Sequence, residues 1–124
     1  MPVQKLEPKK KSGEANIAAL SLLLDKDPDE LTKEEIGFAC AWETSYTFLA
    51  LEAARRCYRE GDKKMAQRYL LEASMHAIIA GQFCGLEFLS DVGSSIREKA
   101  DKPEDKLDVE KIIDEAYDEM FEQF

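Results

Sequence analysis

The sequence predicts an all-α protein: a small antiparallel helical bundle built on one long helical hairpin, with a short N-terminal helix and an acidic C-terminal helix. Three observations predict it. Apolar residues recur at helical spacing along most of the 124 residues, and we find no strand-like alternation. A capping box begins the first long helical stretch. The dipeptide Gly61-Asp62 separates that stretch from a second one of similar length.

The N-terminal region divides by composition. Residues 1–13 carry lysines and prolines without apolar periodicity, which predicts a disordered basic arm and a single helical domain over 14–124. A short helix is predicted at 14–25, before Pro28, because proline disfavours helix at the preceding residue. Four apolar residues form one face of this helix: Ile17, Leu20, Leu23 and Leu24.

The long hairpin is predicted from its caps. Thr32, followed by a glutamate three residues later, forms a capping box that begins a helix over about 33–60. Gly61 can adopt the left-handed conformation that ends a helix, and Asp62 can cap the next one, predicted over about 63–89. A turn this short places the two helices antiparallel and side by side.

The second long helix carries a row of small residues, which predicts close approach of another backbone. The row has four members: Ala73, Ala77, Gly81 and Gly85. The helical pattern is then interrupted at 90–93, and a second capping box at Ser95 predicts a short helix through Ala100. A final amphipathic helix with an acidic outer face is predicted over about 108–123.

Charge and cysteine content limit the classes of partner. The formal net charge of −9 repels a phosphate backbone, which argues against nucleic-acid binding. It favours a basic protein partner or serves solubility alone. No apolar run reaches the ~18 residues of a membrane span, so we expect no membrane partner. Cys40, Cys57 and Cys84, without a signal peptide, predict reduced thiols in a cytoplasm.

The turn between the long helices carries a family resemblance. Its residues follow the order aromatic, Gly-Asp, small, aromatic, small: Tyr58, Gly61, Asp62, Ala66, Tyr69 and Ala73. On these residues, segment 57–73 resembles a tetratricopeptide repeat, which implies a protein-binding scaffold of stacked hairpins. Both predicted helices are about twice as long as those of a ~34-residue repeat. We therefore favour a compact bundle that shares the hairpin geometry.

A second resemblance concerns the only histidine, His76. The stretch Ala73-Ser-Met-His-Ala77, on a long helix after a short turn, is similar to HEPN domains, small helical bundles that include ribonucleases. The ribonuclease members carry an arginine followed closely by a histidine. Here Arg68 precedes His76 by eight positions, so the resemblance implies a non-catalytic bundle.

Candidate chemistry is sparse in the sequence. His76 has Glu72 one turn before it and could meet Glu43 from the other long helix, yet a hydrogen-bonded boundary histidine explains it better. We predict no catalytic residues, no metal site and no cofactor. Five aromatic residues are interpreted as core, with a ligand cleft as the alternative: Trp42, Tyr46, Phe48, Phe83 and Phe88.

These observations predict a small cytoplasmic protein-binding module, an adaptor, chaperone-like holder or inhibitor that acts through helix surfaces. The partner is another protein, of basic character, and a homodimer through the long hairpin is a variant. The predicted contacts are Tyr58, Arg59 and Lys63 near the turn, and Tyr117, Met120 and Phe121 on the last helix. The alternatives are a HEPN-like ribonuclease-related bundle using Arg68, Glu72 and His76, or an acidic mimic that blocks a nucleic-acid-binding partner.

Overall fold

The protein is described by a computed structural model over residues 10–123, with side chains from residue 16 onward. The all-α prediction is confirmed: these residues form five α-helices and no strand. The helices are α1 (Lys10–Leu24), α2 (Lys33–Arg59), α3 (Lys63–Cys84), α4 (Glu87–Ala100) and α5 (Val109–Phe121), with 3₁₀ turns at Pro28–Glu30 and Glu104–Lys106. None of these helices is long and apolar enough to cross a membrane.

The N-terminal prediction falls partly outside the described residues. Positions 1–9 of the predicted arm lie outside the described residues. The helix α1 begins at Lys10, earlier than the predicted start at 14, so the last positions of the predicted arm are helical. The division into an arm over 1–13 and a single domain over 14–124 stays a prediction.

The hairpin turn has the predicted chemistry. Gly61 has a positive φ of 88°. Its amide donates to the Tyr58 carbonyl at 3.0 Å, and the Asp62 amide donates to the Cys57 carbonyl at 2.8 Å. These two bonds form the Schellman motif that closes a helix at glycine. The Asp62 carboxylate then accepts the Met65 amide at 3.1 Å and caps α3.

The beginning of α2 also has the predicted cap. The Thr32 hydroxyl accepts the Glu35 amide at 3.1 Å, and the Glu35 carboxylate accepts the Thr32 amide at 2.9 Å. Leu31 and Ile36, on either side of this cap, are both buried in one cluster. The cap therefore fixes the angle at which the chain enters the long helix.

Two hydrophobic clusters hold the bundle together. The larger one joins α2, α3, α4 and α5, and its largest fully buried side chains include Leu51, Leu70, Ile96 and Ile113. The smaller one attaches α1 to the beginning of α2 and the end of α3. Its members are Ile17, Leu31, Ile36, Ala39 and Phe83.

The structure corrects the end of the second long helix. Gly85 has a positive φ of 67°, so α3 ends at Cys84 instead of continuing to 89. The predicted interruption at 90–93 is also wrong, because α4 runs unbroken through it. Gly81 and Gly93 lie where α3 and α4 approach too closely for a β-carbon. These glycines serve the packing of the two helices.

The cysteine prediction is corrected as well. Cys40 on α2 and Cys84 at the end of α3 form a disulfide, with their Cα atoms 5.1 Å apart, inside the usual range for such bonds. Cys57 is free and half-buried. The prediction of three reduced thiols is therefore wrong for two of them. The antiparallel hairpin brings together positions that are far apart in the sequence.

Candidate functional site

An apolar groove lies between α1 and α2, with α3 at its base. It forms because α1 packs more extensively against α3 than against α2, an arrangement held by a hydrogen bond from the Asn16 amide to the buried Gln82 side chain. The groove has a volume of about 710 Å³. Its apolar lining comprises Ala19, Leu20, Leu23 and Leu24 from α1, Phe38, Ala39 and Trp42 from α2, and Ile79 and Phe83 from α3.

A row of exposed aromatic side chains, Phe38, Trp42 and Tyr46, follows one face of α2. Phe38 and Trp42 line the groove, and Tyr46 continues the row beyond it. The Phe38 and Trp42 rings have centroids 6.2 Å apart, and those of Trp42 and Tyr46 are 5.3 Å apart. Phe38 remains 69% exposed and Trp42 54% exposed. Leu23, on the opposite side of the groove, is 80% exposed.

The interpretation of Trp42 and Tyr46 as core residues is therefore wrong. The core interpretation is confirmed for Phe83, which is buried. Phe48 and Phe88 are partly buried against the main core. No described helix covers the aromatic row, because α1 leans on α3. The groove residues Leu23 and Phe38 were not predicted as a site. The sequence signal for the aromatic row was the spacing of four residues between its successive members.

A histidine–glutamate pair lies beside the aromatic row. The Glu43 Oε2 atom is 2.5 Å from the His76 Nδ1 atom, and both side chains are mostly buried. A carboxylate only accepts hydrogen bonds, so Nδ1 carries the donated proton. The His76 ring stacks on Tyr46 with centroids 4.9 Å apart. The structure thus selects Glu43, and not the exposed Glu72, as the histidine's partner.

The residues of the ribonuclease alternative do not converge. Arg68 is exposed, and its guanidinium lies beside the Met65 sulfur of its own helix. Glu72 is exposed as well. Among the described residues, no group of three or more histidine, cysteine, aspartate and glutamate side chains is arranged to hold a metal ion. His76 therefore has the geometry of a hydrogen-bonded boundary residue.

The charges around the groove are predominantly negative. Its polar lining consists of Asn16, Glu34, Glu35 and Glu43. A hydrogen bond from Lys26 and another from the Thr32 amide hold the pKa of Glu35 below its usual range, so Glu35 is a carboxylate balanced by Lys26. Among residues 16–123, no lysine or arginine is part of the lining. The groove therefore favours a cationic occupant over an anionic one.

Three of the predicted contact residues are engaged within the bundle. Met120 is 1% exposed and belongs to the core, so its side chain does not lie on a surface that a partner could reach. Arg59 donates to Glu110 on α5 at 2.9 Å. The Tyr117 hydroxyl donates to Glu52 on α2 at 2.5 Å. These contacts dock α5 on its own chain.

A cluster of charges strengthens that docking. The Arg55 guanidinium lies 2.5 Å from Glu110 and 3.3 Å from Asp114. Burial opposes the charge of Arg55, but the hydrogen bond with Asp114 and the charges of Glu52 and Glu110 raise its pKa overall. The cluster has a structural role, because it joins α2 to α5.

The other predicted contacts lie at or near the surface. Tyr58 and Phe121 are exposed and Lys63 is half-buried. Tyr58 and Lys63 flank the hairpin turn, whereas Phe121 stacks on Tyr117 at a centroid distance of 5.8 Å. A role for these three in partner binding stays a prediction. They do not line the groove.

No protein-family model, curated protein or solved structure gives a significant match to this chain. The resemblances to a tetratricopeptide repeat and to HEPN domains stay predictions. The geometry of the groove is consequently the strongest support for a function.

Proposed function

We propose that this protein is a protein-binding module whose groove docks an amphipathic helix of a basic partner. The observation that carries the proposal is the exposed aromatic row beside an apolar groove. Grouped, exposed apolar side chains mark interaction sites in soluble proteins. Phe38 and Trp42 stand on one side of the groove and Leu23 on the other, as expected for a helix-in-groove contact.

The shape of the surface suits a helix better than a small molecule. The aromatic row is prolonged by Leu49, which is also exposed on α2. From Phe38 to Leu49 the helix rises roughly 16 Å, about three turns. A partner helix of about three turns would cover both the groove and the row.

Charge favours a basic partner over a second copy of this chain. The segment 25–35, at the end of the groove, holds Asp25, Asp27, Asp29, Glu30, Glu34 and Glu35 against Lys26 and Lys33. Two copies would bring two such segments together, and each chain carries a net charge of −9. Like charges across an interface oppose association. A helix with lysine or arginine beside its apolar stripe is complementary to this segment.

The proposed module acts as an adaptor, holder or inhibitor, and its partner determines which of these roles it has. The acidic mimic differs from it in its response to salt. Binding through surface charge alone collapses as salt screens the charges, whereas an apolar contact in the groove persists.

The proposal is tested by fluorescence, because Trp42 is the only tryptophan and lines the groove. The probe is a designed 18-residue amphipathic peptide with a leucine stripe flanked by lysines. A second peptide has the same stripe flanked by glutamates. We expect the lysine peptide to shift Trp42 emission to shorter wavelength with saturation, and the glutamate peptide to bind more weakly.

Matched variants locate the contact. Leu23→Ser and Phe38→Ser should each weaken the lysine peptide about tenfold, the effect of losing a buried apolar contact of ~1.4 kcal/mol or more. Leu71→Ser is the control, since Leu71 is exposed on α3 outside the groove. The proposal is overturned if the lysine peptide gives no saturable shift, or if Leu71→Ser weakens binding as much as the groove variants do.

A further inference from the structure

We infer that the groove receives one arginine side chain of the docked helix, with the guanidinium between the Glu43 carboxylate and the Trp42 ring. The inference rests on the proposed function and specifies the chemistry of the partner's central residue. Glu43 and Trp42 are adjacent in α2, and both line the groove. The remaining polar lining lies at positions 16, 34 and 35.

The hydrogen bonding of Glu43 leaves half of its carboxylate available. Oε2 is engaged by His76 at 2.5 Å, and this contact, supported by the Tyr46 ring stacked on the imidazole, fixes the carboxylate in place. Within residues 16–123, no hydrogen-bond donor reaches the Oε1 atom of Glu43. One acceptor atom is thus held in position on a side chain that keeps 18% of its surface exposed to solvent.

Docking an apolar helix would remove that solvent. A carboxylate taken out of water without a partner is costly, whereas one that is paired and hydrogen-bonded is tolerated. A partner helix with only apolar side chains over Glu43 would leave the charge of the Glu43 carboxylate buried and unpaired. Among residues 16–123, no lysine or arginine lines the groove, and Lys26 is paired with Glu35. A partner helix that brings its own cation would therefore satisfy Glu43.

Arginine fits this position better than lysine does. The exposed Trp42 ring beside Glu43 offers an aromatic face, and a planar guanidinium both stacks on such a face and donates to a carboxylate. Guanidinium is also more weakly hydrated than ammonium, so it enters an apolar groove at lower cost. The Glu43 carboxylate and the Trp42 ring together therefore favour a planar cation.

The test replaces the central leucine of the lysine-flanked peptide with arginine or with citrulline, which has the same shape without the charge. Isothermal calorimetry measures both affinities. On the unaltered protein, the arginine peptide should bind at least about tenfold more tightly, as expected for a charge-assisted hydrogen bond. On Glu43→Gln the ratio should fall to about one, and on the control Glu72→Gln, at an exposed glutamate of α3 outside the groove, it should be unchanged.

A second variant keeps the test decisive if Glu43→Gln perturbs the fold. Trp42→Leu retains an apolar wall and removes the aromatic face, so the preference for arginine should fall about threefold or more. Equal binding of the two peptides to the unaltered protein overturns the inference and leaves the proposed function standing. A ratio that persists on Glu43→Gln overturns it as well. Failure of both peptides and of the parent peptide to bind overturns the proposed function too.

Discussion

The Glu43 Oε2 atom lies 2.5 Å from the His76 Nδ1 atom, across the interface between α2 and α3. This contact joins the two long helices next to the groove and holds a carboxylate at its lining. The stacking of Tyr46 on His76 links the same pair to the exposed aromatic row. The packing contact between α2 and α3 therefore lies directly beside the proposed binding surface.

The first prediction concerns the strength of this pair. His76→Ala should lower the free energy of unfolding by about 1–3 kcal/mol, because it leaves a mostly buried carboxylate without its donor. Glu72→Ala, one turn away on the exposed side of α3, should change it by less than about 0.5 kcal/mol. Urea unfolding measures both. A double-mutant cycle with Glu43→Ala isolates the pair, and a coupling of zero would contradict the contact.

The second prediction concerns the contact between α3 and α4. A β-carbon at Gly93 would lie 2.7 Å from the Ser74 carbonyl oxygen, whereas one at Gly37 has nothing within 4 Å. Gly93→Ala should therefore destabilise the protein by about 1–3 kcal/mol through overpacking. Gly37→Ala should stabilise it by up to ~1 kcal/mol, since alanine is the better helix former. Equal thermal stabilities of the two variants would show that α4 does not pack this closely.

The third prediction concerns the disulfide between Cys40 and Cys84. It closes a loop with a sequence separation of 44, so Cys40→Ser should lower the free energy of unfolding by about 2–4 kcal/mol. Cys57→Ser, at the free thiol, is the control. Alkylation of the denatured, unreduced protein followed by mass spectrometry should label one cysteine. Labelling of all three would contradict the bond and support the thiols predicted from the sequence.

The fourth prediction concerns alkaline pH. Burial raises the pKa of Tyr117, as do its hydrogen bond to Glu52 and the charge of that carboxylate. In the unfolded chain a tyrosine titrates near pH 10. Because the folded pKa is higher, this stabilisation is fully present below about pH 10 and is lost as pH rises towards the folded value. In Tyr117→Phe the free energy of unfolding should fall less between pH 8 and pH 11, because no hydroxyl titrates at this position. An identical pH dependence in both proteins would contradict the contact.

Local signals in the sequence predicted the hairpin well. Thr32 with Glu35, and Gly61 with Asp62, act within a few residues, and the structure shows the expected hydrogen bonds at both caps. The helix α5 was also placed closely, because an amphipathic pattern is a local feature. The structure adds a cap at its beginning, where the Asp108 side chain accepts the Lys111 amide. Such elements depend little on the rest of the fold.

The remaining features depend on how the helices are arranged. Gly85 ends α3 while Gly81 and Gly93 remain inside helices, and only the approach of α4 to α3 distinguishes them. The groove exists because α1 packs on α3, a preference that depends on contacts between residues far apart in the sequence, such as Asn16 with Gln82. Glu43 and His76 are 33 positions apart, and their pairing follows from the register of the hairpin. For these reasons the groove could not be predicted from the sequence.

The most direct test of the central claim is selection from a displayed library of helical peptides, followed by binding of the enriched peptides to variants. We expect the enriched peptides to share a consensus of apolar residues at i, i+3, i+4 and i+7 with flanking lysine or arginine. We also expect that Phe38→Ser and Leu23→Ser lose these peptides, while Leu71→Ser retains them. Enrichment of no peptide, or of peptides that bind Phe38→Ser and Leu23→Ser as well as the unaltered protein, would contradict a docking function for this groove.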